Sequence, residues 1–182
     1  MSTTTTLAVD ANYLLKKSFL GDKDTYTKEF GHIGGLLNFF LTLRTMCTTY
    51  PINKILLFWD GENGGILRHR LYDKYKANRE SKSWHNPGYM TEAEIKYQYI
   101  NKESNLRQRI QIKNYAENLF FRQMEFSGIE ADDLMAYYCS QYHTTENIIV
   151  YTNDRDICQT VEYDNVNVYL VNKGKQIINK KT

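Results

Sequence analysis

Seven acidic residues have the types and positions expected of a metal-binding group. Aspartates follow three short apolar segments, and a further acidic group opens a predicted helix. These residues are Asp10, Asp60, Glu130, Asp132, Asp133, Asp154 and Asp156. Carboxylate oxygens bind hard divalent cations such as Mg²⁺, which keeps water ligands and leaves room for phosphate oxygens. Two such ions ~3.5–4 Å apart can activate water and stabilise a leaving oxygen, so these residue types indicate metal-assisted phosphodiester hydrolysis.

Each acidic residue also has an ordinary structural explanation. Aspartate at the end of a strand is a good helix cap or turn residue, and acidic residues in a first helical turn stabilise the helix dipole by ~0.3–1 kcal/mol. The set as a whole is harder to explain in this way. Two carboxylates ~4 Å apart repel by roughly 4 kcal/mol at an effective dielectric constant of 20. If the fold brings the seven together, we expect a counter-ion among them.

The elements that must position these residues alternate along the chain. Apolar runs predict strands, and apolar residues at helical spacing predict helices. The predicted strands are 7–9, 55–59, 148–152 and 166–171, and the predicted helices are 36–46, 103–126 and 129–142. This order predicts an α/β fold with right-handed crossovers, a mostly parallel central sheet and helices on both faces. The carboxyl ends of parallel strands share one edge, where ligands bind. Residues 169–178 could instead form a hairpin, weakly indicated by a glycine.

The long helix and the segment before it have distinct patterns. We expect the helix at 103–126 to bury a set of apolar side chains, namely Leu106, Ile110, Tyr115, Leu119 and Phe120. The segment 81–102 holds Pro87-Gly88 and several aromatic residues but little apolar periodicity. A long irregular insertion in a compact domain is usually a functional lid or a disordered loop.

The middle of the chain is basic although the total charge is only +2. Residues 66–113 contain 11 Lys and Arg against five Asp and Glu, which suggests a polyanionic partner or, equally, a solvated helical face. A helix at 66–79 would align four residues on one stripe, Arg68, Tyr72, Lys76 and Arg79. Such a stripe can hold phosphates and stack a base. The alternative is an amphipathic helix with Leu67 and Leu71 buried.

Length and composition favour one cytosolic domain over residues 1–182. The chain has 182 residues with 42% hydrophobic and 24% charged residues, close to globular averages. Its longest apolar runs are far shorter than the ~20 residues of a membrane span, so we expect no membrane partner. The first residues lack the pattern of a signal peptide. Three cysteines without metal-ligand spacing fit a reducing compartment.

Taken together, five motifs resemble a known family. They are Val9-Asp10-Ala-Asn12, Phe58-Trp-Asp60, Arg68 with Tyr75-Lys-Ala-Asn-Arg79, Glu130-Ala-Asp-Asp133, and Thr152-Asn-Asp-Arg-Asp156 with Gln159. Their order and spacing over residues 7–161 are similar to the 5′-nuclease superfamily of flap endonucleases and phage and bacterial 5′–3′ exonucleases, with its PIN-like catalytic domain. The resemblance implies a metal-dependent nuclease acting on flap or single-stranded 5′ ends of DNA in replication or repair, in a bacterial or phage-infected cell.

The resemblance also implies roles for individual residues. Four acidic residues look like ligands of a first Mg²⁺ or Mn²⁺ ion, with Asp10 and Asp60 also counted as catalytic: Asp10, Asp60, Glu130 and Asp132. Three look like second-site or outer-shell carboxylates: Asp133, Asp154 and Asp156. Lys76 and Arg79 look like the catalytic basic pair that steers the scissile phosphate and stabilises charge in the transition state. The predicted DNA contacts are Lys17, Arg68, Tyr72, Lys76, Arg79 and Lys82. Segment 81–102 matches the helical arch of the family.

One departure from the family pattern leaves alternatives open. Family members continue with a helix–three-turn–helix module that grips duplex DNA, and no such module fits within this sequence. We expect either a truncated form or a second polypeptide that supplies the module. Two other functions remain in view: a catalytically silent DNA-binding subunit with the nuclease fold, and a PIN-type ribonuclease.

Overall fold

The computed structural model describes residues 4–72, 92–171 and 176–180. The described strands are β1 (Thr4–Asp10), β2 (Tyr26–Thr27), β3 (Gly31–His32), β4 (Lys54–Phe58), β5 (Arg122–Met124), β6 (Glu146–Thr152), β7 (Val166–Leu170) and β8 (Gln176–Ile178). The described α-helices are α1 (Ala11–Gly21), α2 (Gly34–Thr49), α3 (Ile66–Leu71), α4 (Glu92–Asn118) and α5 (Ala131–Tyr142), and a 3₁₀ helix covers Asp156–Glu162. No helix in these ranges is long and apolar enough to span a membrane.

The central sheet confirms the predicted α/β fold class. Among the described residues it has six strands in the order β5-β4-β1-β6-β7-β8, all parallel except for the antiparallel pair β7–β8. That last pair confirms the antiparallel pairing expected from the hairpin alternative for residues 169–178, while the turn at 172–175 lies outside the described ranges. The strands β1 and β4 are in register, with Asp10 opposite Phe58, so both chains leave the sheet at the same edge.

Two apolar layers cover the two faces of the sheet. Successive side chains of a strand point to opposite faces, so Leu7 and Val9 join one core with α1, α2 and α4, while Ala8 joins another with α5. These three residues of β1 are fully buried. A strand covered on both faces has a continuous apolar sequence, which explains why the central strands were predictable.

The predicted buried face of the long helix is wrong. The five expected inward residues are all exposed, from 48% for Tyr115 to 94% for Phe120. The buried residues of α4 between positions 104 and 116 are Ser104, Gln108, Ile112 and Ala116. Gln108 can be buried because its Oε1 accepts the Leu36 N–H at 2.7 Å and its Nε2 donates to the His32 carbonyl at 3.0 Å. A buried amide with satisfied hydrogen bonds takes a place that periodicity assigns to apolar residues.

The predicted extent of that helix is also wrong at both ends. The helix begins at Glu92, so residues 92–102 are helical rather than irregular, and residues 81–91 lie outside the described ranges. At the other end α4 stops at Asn118, and Phe120 adopts a left-handed φ of 59°. The chain then forms the edge strand β5, parallel to β4. A left-handed residue that is not glycine gives no helix-stop signal in the sequence.

Two further helices differ from expectation. Helix α1 directly follows β1 and was not predicted from the sequence. Helix α3 ends at Leu71, and Tyr72 after it has extended backbone, so Arg68 and Tyr72 do not share a helical stripe. The alternative with Leu71 buried is wrong as well, since Leu71 is 88% exposed. The rest of the predicted helix, from residue 73 onward, lies outside the described ranges.

Candidate metal centre

Asp10 sits where β1 passes into α1. It is the last residue of the strand and the N-cap of the helix, and its Oδ1 accepts the Tyr13 N–H at 2.9 Å. Its Oδ2 accepts a longer hydrogen bond from the Thr152 hydroxyl, at the end of β6, at 3.4 Å. Helix capping by aspartate explains this local geometry. It also fixes the carboxylate at the carboxyl edge of the sheet.

Asp60 lies just beyond β4 and is tied to the start of α5. Its Oδ1 accepts the N–H of Ala131, the first residue of that helix, at 2.8 Å. The next residue, Gly61, packs closely against the backbone that precedes this helix, where a Cβ would lie 1.7 Å from the carbonyl oxygen of Phe126. The backbone N–H of Gly61 donates to the Ile129 carbonyl at 3.0 Å. These contacts place Asp60 beside the acidic start of α5.

The acidic start of α5 forms a tight cluster around one arginine. Ligand oxygens of Glu130, Asp132 and Asp133 all lie within 4.8 Å of one another. The Arg68 guanidinium from α3 pairs with each of them: Nη1 lies 2.7 Å from Glu130 Oε2 and 3.2 Å from Asp132 Oδ2, and Nη2 pairs with Asp133. We name these three acidic residues the α5 acidic cluster.

The last two predicted carboxylates follow β6. The Asp154 N–H donates to the Thr152 hydroxyl at 3.1 Å, which holds the turn after the strand. The Oδ1 of Asp154 accepts the Asp156 N–H at 2.9 Å, and Asp156 begins the 3₁₀ helix. Both residues are exposed. Asp154 therefore orders the chain that carries Asp156, while its second oxygen has no hydrogen bond to a described residue in this turn.

These elements enclose an open cavity of about 440 Å³ at the carboxyl edge. Five of the seven predicted carboxylates line it: Asp10, Asp60, Glu130, Asp132 and Asp154. Asp133 joins through the α5 acidic cluster. Asp156 is not among the lining residues. Four other polar residues line the cavity without having been predicted as site residues: Asn12, Tyr13, Lys16 and Asn153. In the sequence these four residues are close to Asp10 or Asp154, but closeness in sequence does not by itself predict a role in the site.

Burial and mutual repulsion shape the ionisation of this group. Burial raises the pKa of the Asp10 carboxyl to about 6, and the charges of Asp60 and Asp132 add to that rise against the hydrogen bonds from Tyr13 and Thr152. Burial likewise raises the pKa of Asp132, although Arg68 opposes the change. A nearby positive charge would favour the ionised form of these two carboxyls and so lower their pKa.

The donor set fits a divalent cation of the Mg²⁺ or Mn²⁺ type. It consists of carboxylates and amides, whose oxygens are the ligands that these ions prefer. Within the described residues, no histidine or cysteine lines the cavity. A cation bound beside Asp10 would favour the ionised form of this carboxyl, against the burial that raises its pKa. The oxygen donors of this cavity therefore fit a divalent cation.

The predicted basic residues take different positions. Lys17 donates to the Tyr151 hydroxyl at 3.2 Å, while its neighbour Lys16 is the lysine that lines the cavity. Arg68 contacts the α5 acidic cluster, and Tyr72 is exposed beyond the end of α3. Three predicted residues, Lys76, Arg79 and Lys82, lie outside the described ranges.

A known family matches nearly the whole sequence. The family described as "5′-3′ exonuclease, N-terminal resolvase-like domain" matches residues 5–182. A 5′-3′ exonuclease of Mycoplasmopsis pulmonis is 24% identical over 169 residues, which cover 93% of this chain and 48% of that protein. The chain thus spans about half the length of the curated relative that it matches.

Solved structures share the fold. The bacteriophage T5 flap endonuclease in a complex with DNA and metal ions superposes with a TM-score of 0.72 at 16% identity, covering 96% of this chain and 57% of the other. The T5 5′-exonuclease with bound zinc gives a TM-score of 0.70 at 17% identity, with 96% and 58% covered. Because the sequence identities are below 20%, these two structures show that the fold is shared and nothing more.

Proposed function

Because the chain belongs to the family of the 5′-3′ exonuclease N-terminal resolvase-like domain, we propose that it forms the catalytic part of a divalent-metal-dependent 5′ nuclease. Its substrate would be DNA with a free 5′ end or a flap, and its reaction hydrolysis of a phosphodiester bond. The observation that carries the proposal is the cavity at the carboxyl edge of the sheet, which five carboxylates line.

The proposed roles are those that the family resemblance implies. Asp10, Asp60, Glu130 and Asp132 would hold a first ion, and Asp133, Asp154 and Asp156 would act as second-site or outer-shell carboxylates. A divalent cation bound there supplies positive charge that polarises the phosphate and makes an attacking water more acidic. The chain's own groups orient this arrangement: Asp60 is fixed by the Ala131 N–H, and Asp154 orders the turn that carries Asp156.

Basic side chains would hold the nucleic acid. Lys16 places an exposed ammonium group at the cavity, where a phosphate would meet it. Lys76 and Arg79 are proposed, by the family resemblance, to steer the scissile phosphate. Such contacts position the backbone of a nucleic acid without reading its sequence. A helix–three-turn–helix region, either in a longer form of this chain or on a second polypeptide, is proposed to grip duplex DNA.

The test is cleavage of a 5′-flap DNA in Mg²⁺ or Mn²⁺ by the parent, Asp60→Asn and Asp164→Asn. Asp164 is an exposed aspartate paired with Lys180 away from the cavity, so its variant is a matched control for the loss of one carboxylate. We expect the parent and Asp164→Asn to cut and Asp60→Asn to lose activity by more than about 100-fold, since even outer-shell changes at metal sites cost 10–100-fold.

Other outcomes separate the alternatives. Equal cleavage by Asp60→Asn and the parent would contradict the proposal. A chain that binds flap DNA but never cuts it, until a second protein with a helix–three-turn–helix module is added, would identify a silent subunit. A matched RNA flap cut faster than DNA would identify a ribonuclease.

A further inference from the structure

Arg68 already neutralises the part of the site that a divalent cation would need. Its guanidinium lies within 3.2 Å of oxygens of both Glu130 and Asp132 and also pairs with Asp133. Nη2 makes a second contact with Asp132, 3.2 Å from Oδ1, so the Asp132 pairing is bidentate. Bidentate pairs of this kind are the stronger form of arginine–carboxylate contact.

Arginine and a divalent cation cannot both use these oxygens closely. The three carboxylates offer ligand oxygens within 4.8 Å of one another, and the guanidinium contacts that same group. Two unit positive charges ~4 Å apart repel by roughly 4 kcal/mol at an effective dielectric constant of 20, and a doubly charged ion repels more strongly. A cation that enters the α5 acidic cluster must therefore weaken or displace the Arg68 contacts.

We propose that Arg68 is a resident counter-ion that competes with the divalent cation for the α5 acidic cluster and, once displaced, is free to bind a substrate phosphate. This proposal rests on the proposed function in taking the cavity to be a divalent-cation site. Without the cation, Arg68 holds the three carboxylates together. With the cation, the same side chain becomes a phosphate ligand, because guanidinium pairs with phosphate as it does with carboxylate.

A consequence is coupling between the two ligands. A phosphate that draws Arg68 away leaves the acidic cluster open to the cation, and a cation that displaces Arg68 leaves the guanidinium open to phosphate. Such coupling is reciprocal by thermodynamic necessity. Arg68 would then link cation binding to nucleic-acid binding in this domain.

The test is Mn²⁺ affinity, measured by titration calorimetry without nucleic acid, for the parent, Arg68→Gln, Arg68→Lys and Arg70→Gln. Arg70 lies on the same helix, is exposed and has no ion pair to another described residue, so its variant controls for the loss of one positive charge. We expect Arg68→Gln to bind Mn²⁺ at least about fivefold more tightly than the parent, at the lower end of typical site couplings. Arg68→Lys and Arg70→Gln should stay within about twofold.

Thermal unfolding provides the second measurement. Without Mn²⁺, Arg68→Gln should melt below the parent, because its carboxylates lose their counter-ion, and saturating Mn²⁺ should close that gap. Equal or weaker Mn²⁺ binding by Arg68→Gln, or a gap that persists at saturation, would overturn the proposal. If that happens while Asp60→Asn still abolishes cleavage, the nuclease function stands and only the role of Arg68 fails. Absence of Mn²⁺ binding in every variant would overturn both.

Discussion

Two carboxylates at opposite ends of the parallel strands have opposite surroundings: Glu146 lies at the amino ends of the strands, called here the amino edge, and Asp10 lies at the carboxyl edge. At the amino edge, Glu146 accepts hydrogen bonds from Lys54 Nζ at 2.6 Å, Thr6 Oγ1 at 2.5 Å and Tyr138 Oη at 2.6 Å. At the carboxyl edge, Asp10 receives one backbone N–H and one long hydroxyl contact, and it forms no salt bridge with a described residue.

The pKa values of these two groups move in opposite directions. Burial disfavours ionisation of Glu146, but the hydrogen bonds from Lys54, Thr6 and Tyr138 outweigh it and lower the pKa of this carboxyl. Burial raises the pKa of Asp10 to about 6, with Asp60 and Asp132 adding to the rise. A carboxylate with enough partners stabilises the fold, whereas Asp10, with one backbone and one long hydroxyl contact, would gain from the positive charge of a bound cation.

Removal of the partnered carboxylate should have the largest effect on stability. Glu146→Ala leaves Lys54, Thr6 and Tyr138 without their shared acceptor, in a place where the Glu146 side chain is only 13% exposed. We expect the free energy of unfolding to fall by about 3 kcal/mol, measured by urea denaturation. An unchanged free energy of unfolding would contradict the claim that the hydrogen bonds of Glu146 stabilise the fold.

Removal of the Asp10 carboxylate should instead raise the free energy of unfolding. Asp10→Asn keeps an acceptor that can cap α1 but removes a buried charge. We expect the cation-free protein to gain about 2 kcal/mol above pH 6, after allowance for solvent screening. Loss of stability at neutral pH, in urea denaturation without divalent ions, would contradict the reasoning about this edge.

The gain in stability from Asp10→Asn should depend on pH, because the Asp10 carboxyl has different pKa values in the folded and unfolded protein. The folded pKa of Asp10 is raised, so between about pH 4 and pH 6 the folded parent binds more protons than the unfolded chain. The contribution of Asp10 to stability therefore falls as pH rises through this window. The difference in stability between Asp10→Asn and the parent should grow from pH 4 to pH 6 and then level off.

Much of this architecture could be predicted because the central strands are apolar on both faces. Leu7–Val9 and Ile55–Phe58 could be recognised from composition alone, and their parallel order brings Asp10 and Asp60 to one edge. The placement of the acidic residues in the cavity follows from topology, which is why a sequence without coordinates could group them. Roles for individual carboxylates stay predictions.

The parts that could not be predicted depend on tertiary hydrogen bonds. Burial of Gln108 requires partners from His32 and Leu36, which are more than 70 positions away. The end of α4 depends on a left-handed Phe120, and the capture of Arg68 depends on the approach of α3 to α5. Local periodicity carries no information about such contacts.

The smallest expected effect concerns one lysine at each edge, Lys54 at the amino edge and Lys16 at the carboxyl edge. Lys54 lies over the Tyr138 ring at 5.4 Å and pairs with Glu146, whereas Lys16 is exposed at the cavity. Lys16→Ala should lower the slope of log affinity against log salt for single-stranded DNA by about 0.7, the value for one phosphate contact. Lys54→Gln should leave the slope unchanged. Fluorescence anisotropy in EDTA measures both, and equal slopes in the two variants would contradict the contrast.

The most direct measurement of the central claim is Mn²⁺ binding by titration calorimetry to the parent, Asp132→Asn and Glu146→Gln. If the crowded edge is a divalent-cation site, the parent and Glu146→Gln bind Mn²⁺ alike, and Asp132→Asn binds it at least about tenfold more weakly. Equal affinity in all three proteins, or no binding to the parent, would contradict the account.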